Sequence, residues 1–506
     1  MKESKIENIF LFCVAVFVIF SILMLKPISN LDEIWNYNTA RAITMGLLPY
    51  KDISMITTPL LPFLTAIILK IVANEVIVSR ILASVLCSLV LLLSYKIINF
   101  LIKEENLSLI FTILIGILFR ESFCIDYNWL VLLISLIMLY IELKNKDKKI
   151  YNKKIDFCLG ILAGLAFCTK QSSGFTICFI MAIYKIVFVK NKEDFKEYLK
   201  SFGMRVLGII IPITIFVLYL IVSKSFKDFL DYAVFGISTF NNKIKYSRLF
   251  YNEKIEIKIW SIGFIITLMI MSIIKIYLLL KNKQNEEKYK NFFILFAYNF
   301  VNLITMYPIS DVGHFLLGSL ITLISLFYLI SLLMKKIYYK INIKNKKRIF
   351  KNLFLIIWII MFFYILLQGE ENIKTYIKSE KSSINHFRLI QKSEYIEDGV
   401  KTIDDFIKQK EKEGYKVYIL DAEAACYMIP IDYYNKDYDM FLIGNIGKDG
   451  EDGQIEKIKQ NDEKALFLIK KENLKLNWQT PTKVIDYLRN NLKKEGIVFK
   501  FEIYEK

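Results

Sequence analysis

Eleven apolar segments constrain this chain more than any motif it carries, because most are too long for a strand and too free of charge for a surface helix. They fall at about 9–25, 78–101, 107–119, 124–143, 155–168, 174–189, 205–222, 259–280, 291–307, 312–334 and 350–367. A helix crosses the ~30 Å hydrocarbon core with roughly 20 apolar residues. The chain therefore reads as an α-helical polytopic membrane protein of about 11 transmembrane helices. Its 55% hydrophobic and 15% aromatic content agrees.

The formal charge of +18 invites a nucleic-acid reading until it is mapped. Residues 368–506 hold 24 Lys and Arg against 26 Asp and Glu, so the basic excess lies wholly on the first 367 residues. A nucleic-acid footprint would be a stripe of cations and aromatics on a soluble face, which excludes that partner here. Loops 144–154, 190–205, 281–290 and 335–351 carry six, five, four and eight Lys or Arg. Such loops stay cytoplasmic, and all four do so if the N-terminus is cytoplasmic. The first run is then an uncleaved signal anchor in the cytoplasmic (cell) membrane. The odd span count places 368–506 outside the cell.

Two domains follow. Residues 1–367 form the transmembrane domain, with a first outer loop at 26–77. Residues 368–506 form an extracytoplasmic α/β domain. In the latter the pattern predicts a helix over 396–412, strands at 416–420 and 465–469, a helix at 481–492 and a final strand at 497–503. The glycines at Gly444, Gly447, Gly450 and Gly453 lack P-loop or EF-hand spacing and read as a structural turn-rich loop. Tyr427, Tyr433, Tyr434 and Trp478 read as core or strand-face residues, with stacking on sugar rings as the other reading. The apolar stretch 59–73 is too short to span and is expected to lie at the interface. Spans 107–119 and 155–168 are also short, so their outer ends should form a recess below the headgroups. The other reading is that Arg120 and Lys170 snorkel. With His314 and His386 as the only histidines and no CxxC, a structural zinc site is not expected; no cofactor is certain, and a divalent cation stays open but is not indicated.

By this topology five polar elements face outward: Asp32-Glu33, Arg120-Glu121 with Asp126-Tyr127-Asn128, Lys170-Gln171, Asp311 with His314, and the 223–258 loop with Tyr246 and Arg248. Ionisable residues at membrane depth usually mark a pathway or a site. Each also has a plain structural reading. Ser29-x-x-Asp32 resembles a capping box, Asp126 an N-cap, and His314 a loop histidine with a backbone partner.

Residues 32–64 (Asp-Glu-Ile-Trp-Asn-Tyr-Asn-Thr-Ala-Arg through Thr-Pro-Leu-Leu-Pro-Phe-Leu) resemble the first outer loop of polytopic GT-C glycosyltransferases. Within that superfamily the likeness is to the bacterial family 39-like members, the protein mannosyltransferase and lipid A aminoarabinose transferase group. The resemblance implies a catalytic carboxylate at Asp32, with Glu33 adjacent, and a second outer-loop acid at Asp126. It implies basic residues on the phosphate of a lipid-linked donor, for which Lys170, Arg120 and His314 are candidates. Tyr127, Asn128, Gln171 and Asp311 are candidates for substrate contacts. The expected reaction is transfer, with inversion, of a sugar from a polyprenyl-phosphate donor to a polysaccharide, lipid or protein acceptor of the cell envelope. A flippase of lipid-linked saccharides and a non-enzymatic membrane sensor are the alternatives.

Overall fold

The computed structural model describes residues 5–28, 31–146, 150–240, 243–340 and 346–506. Helix α1 (Lys5–Met24) leads into two short helices, α2 (Leu31–Thr44) and α3 (Leu60–Ile71), and then into α4 (Val76–Ile102). Next come α5 (Glu105–Phe119), α6 (Tyr127–Lys144), α7 (Lys153–Thr169), α8 (Gln171–Ile183) and α9 (Lys192–Val222). After the single turns α10 (Phe226–Phe229) and α11 (Arg248–Tyr251) run α12 (Ile255–Leu280), α13 (Glu287–Tyr298), α14 (Val312–Lys340) and α15 (Lys346–Lys378).

Among the described residues eight helices are long and apolar enough to cross a membrane. They are α1, α4, α6, α8 with its extension to Phe188, α9, α12, α14 and α15. The chain is a multi-pass membrane protein. The three other expected spans form shorter helices, α5, α7 and α13, of 15, 17 and 12 residues. The segment expected to span 291–307 leaves the helix after Tyr298. There Asn299 and Asn302 accept hydrogen bonds from Ser325 (3.0 Å) and Ser135 (3.2 Å), and Asn side chains at such bends compete with helix continuation. Helix α3 has 12 residues, about 18 Å at 1.5 Å each. It buries Leu61, Thr65, Ala66 and Leu69, while Leu64, Ile67 and Ile71 stay exposed.

The chain divides into two compact units. The first comprises 1–23, 83–215 and 243–374; the second comprises 24–82, 216–242 and 375–506. The first outer loop thus belongs to the same unit as the C-terminal region.

In the first unit the backbones of α7 and α9 touch. A Cβ on Gly160 would stand 2.2 Å from the Arg205 carbonyl oxygen, and one on Gly208 would stand 2.4 Å from that of Phe157. Small residues permit such approach where packing, not water exclusion, holds helices together. The same crossing carries a buried charge network. Arg205 donates Nε to Asp156 (2.9 Å), Nη2 to Glu142 (2.7 Å) and Nη1 to the Met181 carbonyl (3.0 Å). Lys185 donates to Asp156 (2.8 Å), Ser201 (3.2 Å) and the Ile150 carbonyl (2.8 Å). Two cations on two carboxylates join α6, α7, α9 and the end of α8.

The second unit is built on a four-stranded sheet of order β1-β2-β4-β3. Strands β1 (Lys416–Ile419) and β2 (Ala465–Lys470) are parallel, as the predicted alternation requires, and α17 (Ala424–Met428) and α18 (Gly450–Gln460) lie between them in sequence. The expected helix is α16 (Glu394–Lys412), with Val400, Ile403 and Ile407 buried. Where one final strand was expected, the chain after α19 (Thr482–Asn491) makes a hairpin of β3 (Lys493–Val498) and β4 (Phe501–Glu505). Phe499 at φ +50° turns the corner, and β3 is mostly exposed, so its alternation is weak.

Helices α2 and α3 complete this unit's core. Ile34, Tyr37, Ala66 and Leu69 pack into one cluster with Phe387, Ile419 and Tyr427. Trp35 donates Nε1 to the Ala422 carbonyl at 3.0 Å, and Arg41 reaches that of Tyr433 at 3.0 Å. The glycine loop is structural, as expected: Gly444, Gly447 and Gly450 all have positive φ. A Cβ on Gly444 would collide with Phe240 at 2.4 Å, and Asp231 accepts the Lys448 amide at 2.9 Å.

Two predictions follow from the buried charges. Arg205→Leu leaves Glu142 and Asp156 short of a counter-charge, and breaking such a pair costs about 3–5 kcal/mol. Thermal unfolding in detergent should show a clearly lower midpoint; an unchanged one would mean the network carries no stability. In the second unit Asp439 is buried, accepting from Tyr434 Oη at 2.7 Å. Burial pushes its pKa up to about 6, against the lowering effect of the Tyr434 bond. A carboxyl whose folded pKa lies above its unfolded value holds its proton more tightly when folded. Its contribution is full below about pH 4 and lost as the pH rises through about 6, by up to about 3 kcal/mol at ~1.4 kcal/mol per unit. Asp439→Asn should flatten that pH profile of stability; an unaltered profile would contradict the assignment.

Candidate active site

In the first unit three segments far apart in sequence bring polar side chains together. Asp126 is the N-cap of α6, buried, its carboxylate accepting the Asn128 amide. The plain reading of Asp126 as a cap is therefore correct as far as it goes. The cap fixes the first turn of α6, so that Asn128 accepts from Lys170 Nζ at 2.9 Å. Lys170 occupies the extended residue between α7 and α8, and its ammonium also stands 5.2 Å from the centre of the Tyr127 ring. The α7–α8 hairpin is tight because Gly174 lies against Phe167, where a Cβ would come within 2.1 Å of backbone.

The third segment enters at the start of α14. Asp311 Oδ1 accepts both the His314 amide and His314 Nδ1–H, each at 2.9 Å. This bond fixes the imidazole, leaving Nε2 as its other face. His314 and Lys170 both lie within electrostatic reach of the Asp126 carboxylate. Asn128 Nδ2 and Ser173 Oγ, in the same stretches of chain, are buried with no protein partner among the described residues. Asp126, Asn128, Lys170, Asp311 and His314 thus form one cluster, with Tyr127 beside it. A lysine ammonium, an imidazole and an amide without a protein partner suit an oxyanion such as a phosphate. Gln171 is half-buried at the first turn of α8.

Arg120 is held differently. It lies half exposed at the end of α5, 3.4 Å from Glu121, which Lys254 also reaches at 3.3 Å. Tyr246 donates to the Ser261 carbonyl at 2.8 Å, and Arg248 pairs with Glu253 at 3.5 Å.

The acidic pair of the first loop lies in the second unit, and its two members part company. Glu33, expected beside the reacting group, is buried in a two-pronged pair with Arg80: Nε to Oε1 and Nη2 to Oε2, both 2.9 Å. Arg80 Nη1 also donates to the Lys26 carbonyl at 2.7 Å. Both Glu33 oxygens thus accept from Arg80, and the pair ties the first turn of α2 to the start of α4. Asp32, one residue earlier, is half exposed, and its backbone carbonyl accepts from Asn36 at 2.8 Å. The cap expected from Ser29 lies outside the described residues. Of the C-terminal aromatics, Tyr427 is buried and Tyr433 and Tyr434 are half-buried, whereas Trp478 is 46% exposed, edge-on to Phe240. Among the described residues no group of three His, Cys, Asp or Glu side chains is placed to hold a metal ion.

Sequence reasoning missed the polar stripe along α6. Asn128, Ser135 and Glu142 recur every seven residues, all buried, each with a partner: Lys170, Asn302 and Arg205. The seven-residue spacing of polar residues in an otherwise apolar span was the available signal. Their partners, up to 167 residues away, left none.

No protein-family model matches the sequence, and no curated protein matches it. Solved structures do. A crystal structure of ArnT from Cupriavidus metallidurans bound to undecaprenyl phosphate aligns with a TM-score of 0.53 at 11% identity. The alignment covers 99% of this chain and 98% of that one. The apo form of the same protein gives 0.54 at 10% identity, covering 98% and 97%. The likeness extends over both compact units and the C-terminal sheet. The chain shares the fold of ArnT, a GT-C fold.

Proposed function

We propose that this protein is a membrane glycosyltransferase that moves a sugar from a polyprenyl-phosphate donor to a cell-envelope acceptor on the outer face of the cytoplasmic membrane. The observation that carries the reading is the cluster of Asp126, Asn128, Lys170, Asp311 and His314, built from three separate segments of a GT-C fold. An isolated cap or a snorkelling lysine would not need these partners. The solved ArnT with undecaprenyl phosphate supports a donor of that class.

In this reading Asp32 is the base. It is half exposed, while Glu33 and Arg80 hold the helix turn that carries it. The acceptor hydroxyl gives its proton to Asp32 as its oxygen bonds to the anomeric carbon from the face opposite the phosphate. The bond from that carbon to the phosphate oxygen breaks, and the configuration inverts. Lys170 and His314 receive the charge that builds on the departing phosphate, with Arg120 as a further cation. Asp126 and Asn128 are positioning residues for Lys170, and Asp311 is one for His314. Tyr127 and Gln171 flank the place where the donor would sit. The acceptor is a polysaccharide, lipid or protein of the envelope. The Lys-rich loops support a cytoplasmic N-terminus and an extracellular C-terminal region.

Base catalysis typically contributes 10²–10⁴-fold. Membranes carrying Asp32→Asn should lose transfer from a labelled polyprenyl-phosphate sugar by a factor of that order at normal expression; retained transfer would remove Asp32 from the mechanism. Lys170→Gln removes the hydrogen bond of a half-buried ammonium to Asn128, so it should cost only about 1 kcal/mol of stability. It should still cut transfer at least tenfold.

A further inference from the structure

The end of the first unit where α6 finishes and α7 begins holds a cavity of about 90 Å³. It lies between the last turn of α6, the first turn of α7, the extension of α8 and the start of α13. It shares no residue with the Lys170 cluster, which is built at the first turn of α6 and the α7–α8 junction. The buried charge network holds two of its wall residues in place. Glu142 accepts from Arg205 at 2.7 Å, and Lys185 donates to Asp156, Ser201 and the Ile150 carbonyl.

The charge of the lining is one-sided. Glu142 is its one carboxylate, against Lys146, Lys185 and Lys290. Arg205 and Lys185 already match Glu142 and Asp156, so Lys146 and Lys290 stand outside that balance. Among the described residues neither pairs with a carboxylate. Lys290 gives one hydrogen to the Lys146 carbonyl at 3.2 Å, and an ammonium has three to give. Asn285 Nδ2, also in the lining, is buried with no protein partner among the described residues. Ile155, Phe188 and Ile294 supply apolar wall, and such surroundings strengthen any charge contact made inside.

Size narrows the occupant. A volume of about 90 Å³ is that of about three waters at ~30 Å³ each, which admits a tetrahedral oxyanion. Sites for drug-sized ligands occupy roughly 300–1,000 Å³, so a nucleotide is excluded. The excess of ammonium groups opposes a metal cation.

We propose that this cavity is a binding site for a phosphate group, held by Lys146, Lys290 and Asn285 Nδ2. Free phosphate and the headgroup of an anionic phospholipid offer the same chemistry. On the orientation proposed above, this end meets the cytoplasm and the inner leaflet, where both are present. The site uses none of the residues assigned to sugar transfer, so it stands or falls separately from that reading.

The test titrates full-length protein in detergent, at constant ionic strength, with inorganic phosphate, phosphatidylglycerol or phosphatidylcholine, and reads the thermal midpoint. A saturable rise is expected with phosphate, phosphatidylglycerol or both, and none with phosphatidylcholine. Whichever saturates at the lower concentration is the source. Lys146→Gln and Lys290→Gln should each raise the half-saturating concentration about tenfold, as loss of a hydrogen bond to a charged group does. Lys170→Gln should leave it unchanged. If Lys290→Gln does not fold, Lys146→Gln decides, because its ammonium bonds to none of the described residues. An unaltered titration in the Lys146 and Lys290 variants would overturn the assignment. Loss of the rise in Lys170→Gln alone would overturn it by placing the phosphate at the Lys170 cluster. An equal rise with phosphatidylcholine, or no rise with any of the three, would overturn it as well.

Discussion

A charge carried into apolar surroundings has to meet a partner, since removing one member of a buried pair costs several kcal/mol. That requirement shapes both compact units. Arg80 meets Glu33 and so fixes the first turn of α2. Arg205 meets Glu142 and Asp156 and so closes four helices at one end of the first unit. Lys170 meets Asn128, whose position depends in turn on the Asp126 cap. The first two pairs are saturated. The third ends in an amide with a free Nδ2 and an ammonium that is only part-buried.

This contrast separates structure from chemistry. Arg205 and Glu142 are enclosed, with side chains 3% and 7% exposed, and their donors and acceptors are matched. His314 and Asp311 keep 21% and 41% of their side chains accessible. A site needs groups that are oriented but not consumed. Glu33 and Asp32 are adjacent and chemically alike, yet Glu33 is buried against Arg80 while Asp32 is half exposed.

Eight of the eleven expected spans, the short helices α5 and α7, and α16, β1, β2 and α19 of the C-terminal region were legible in the sequence, because each follows from the period of apolar residues along a local stretch. The polar segments that would converge were legible too, as ionisable groups beside apolar runs. What escaped was pairing at a distance. Nothing local distinguishes Glu33 from Asp32; the difference is Arg80, 47 residues on. The hairpin of β3 and β4 escaped because β3 is an exposed edge with little alternation. The bend at Asn299 and Asn302 escaped because a run of apolar neighbours masked two helix-disfavouring residues. That α2 and α3 share a core with the C-terminal sheet could not be read from either segment, since each has an apolar face that several partners would satisfy.

Transfer of a sugar from a lipid phosphate is the activity proposed for this fold. The most direct measurement is mass spectrometry of envelope glycans and lipid-linked sugars from cells lacking the protein and from their parent. Without the protein, one sugar should disappear from an envelope glycan while its polyprenyl-phosphate form accumulates. Identical glycans and identical lipid-linked pools in the two strains would contradict it.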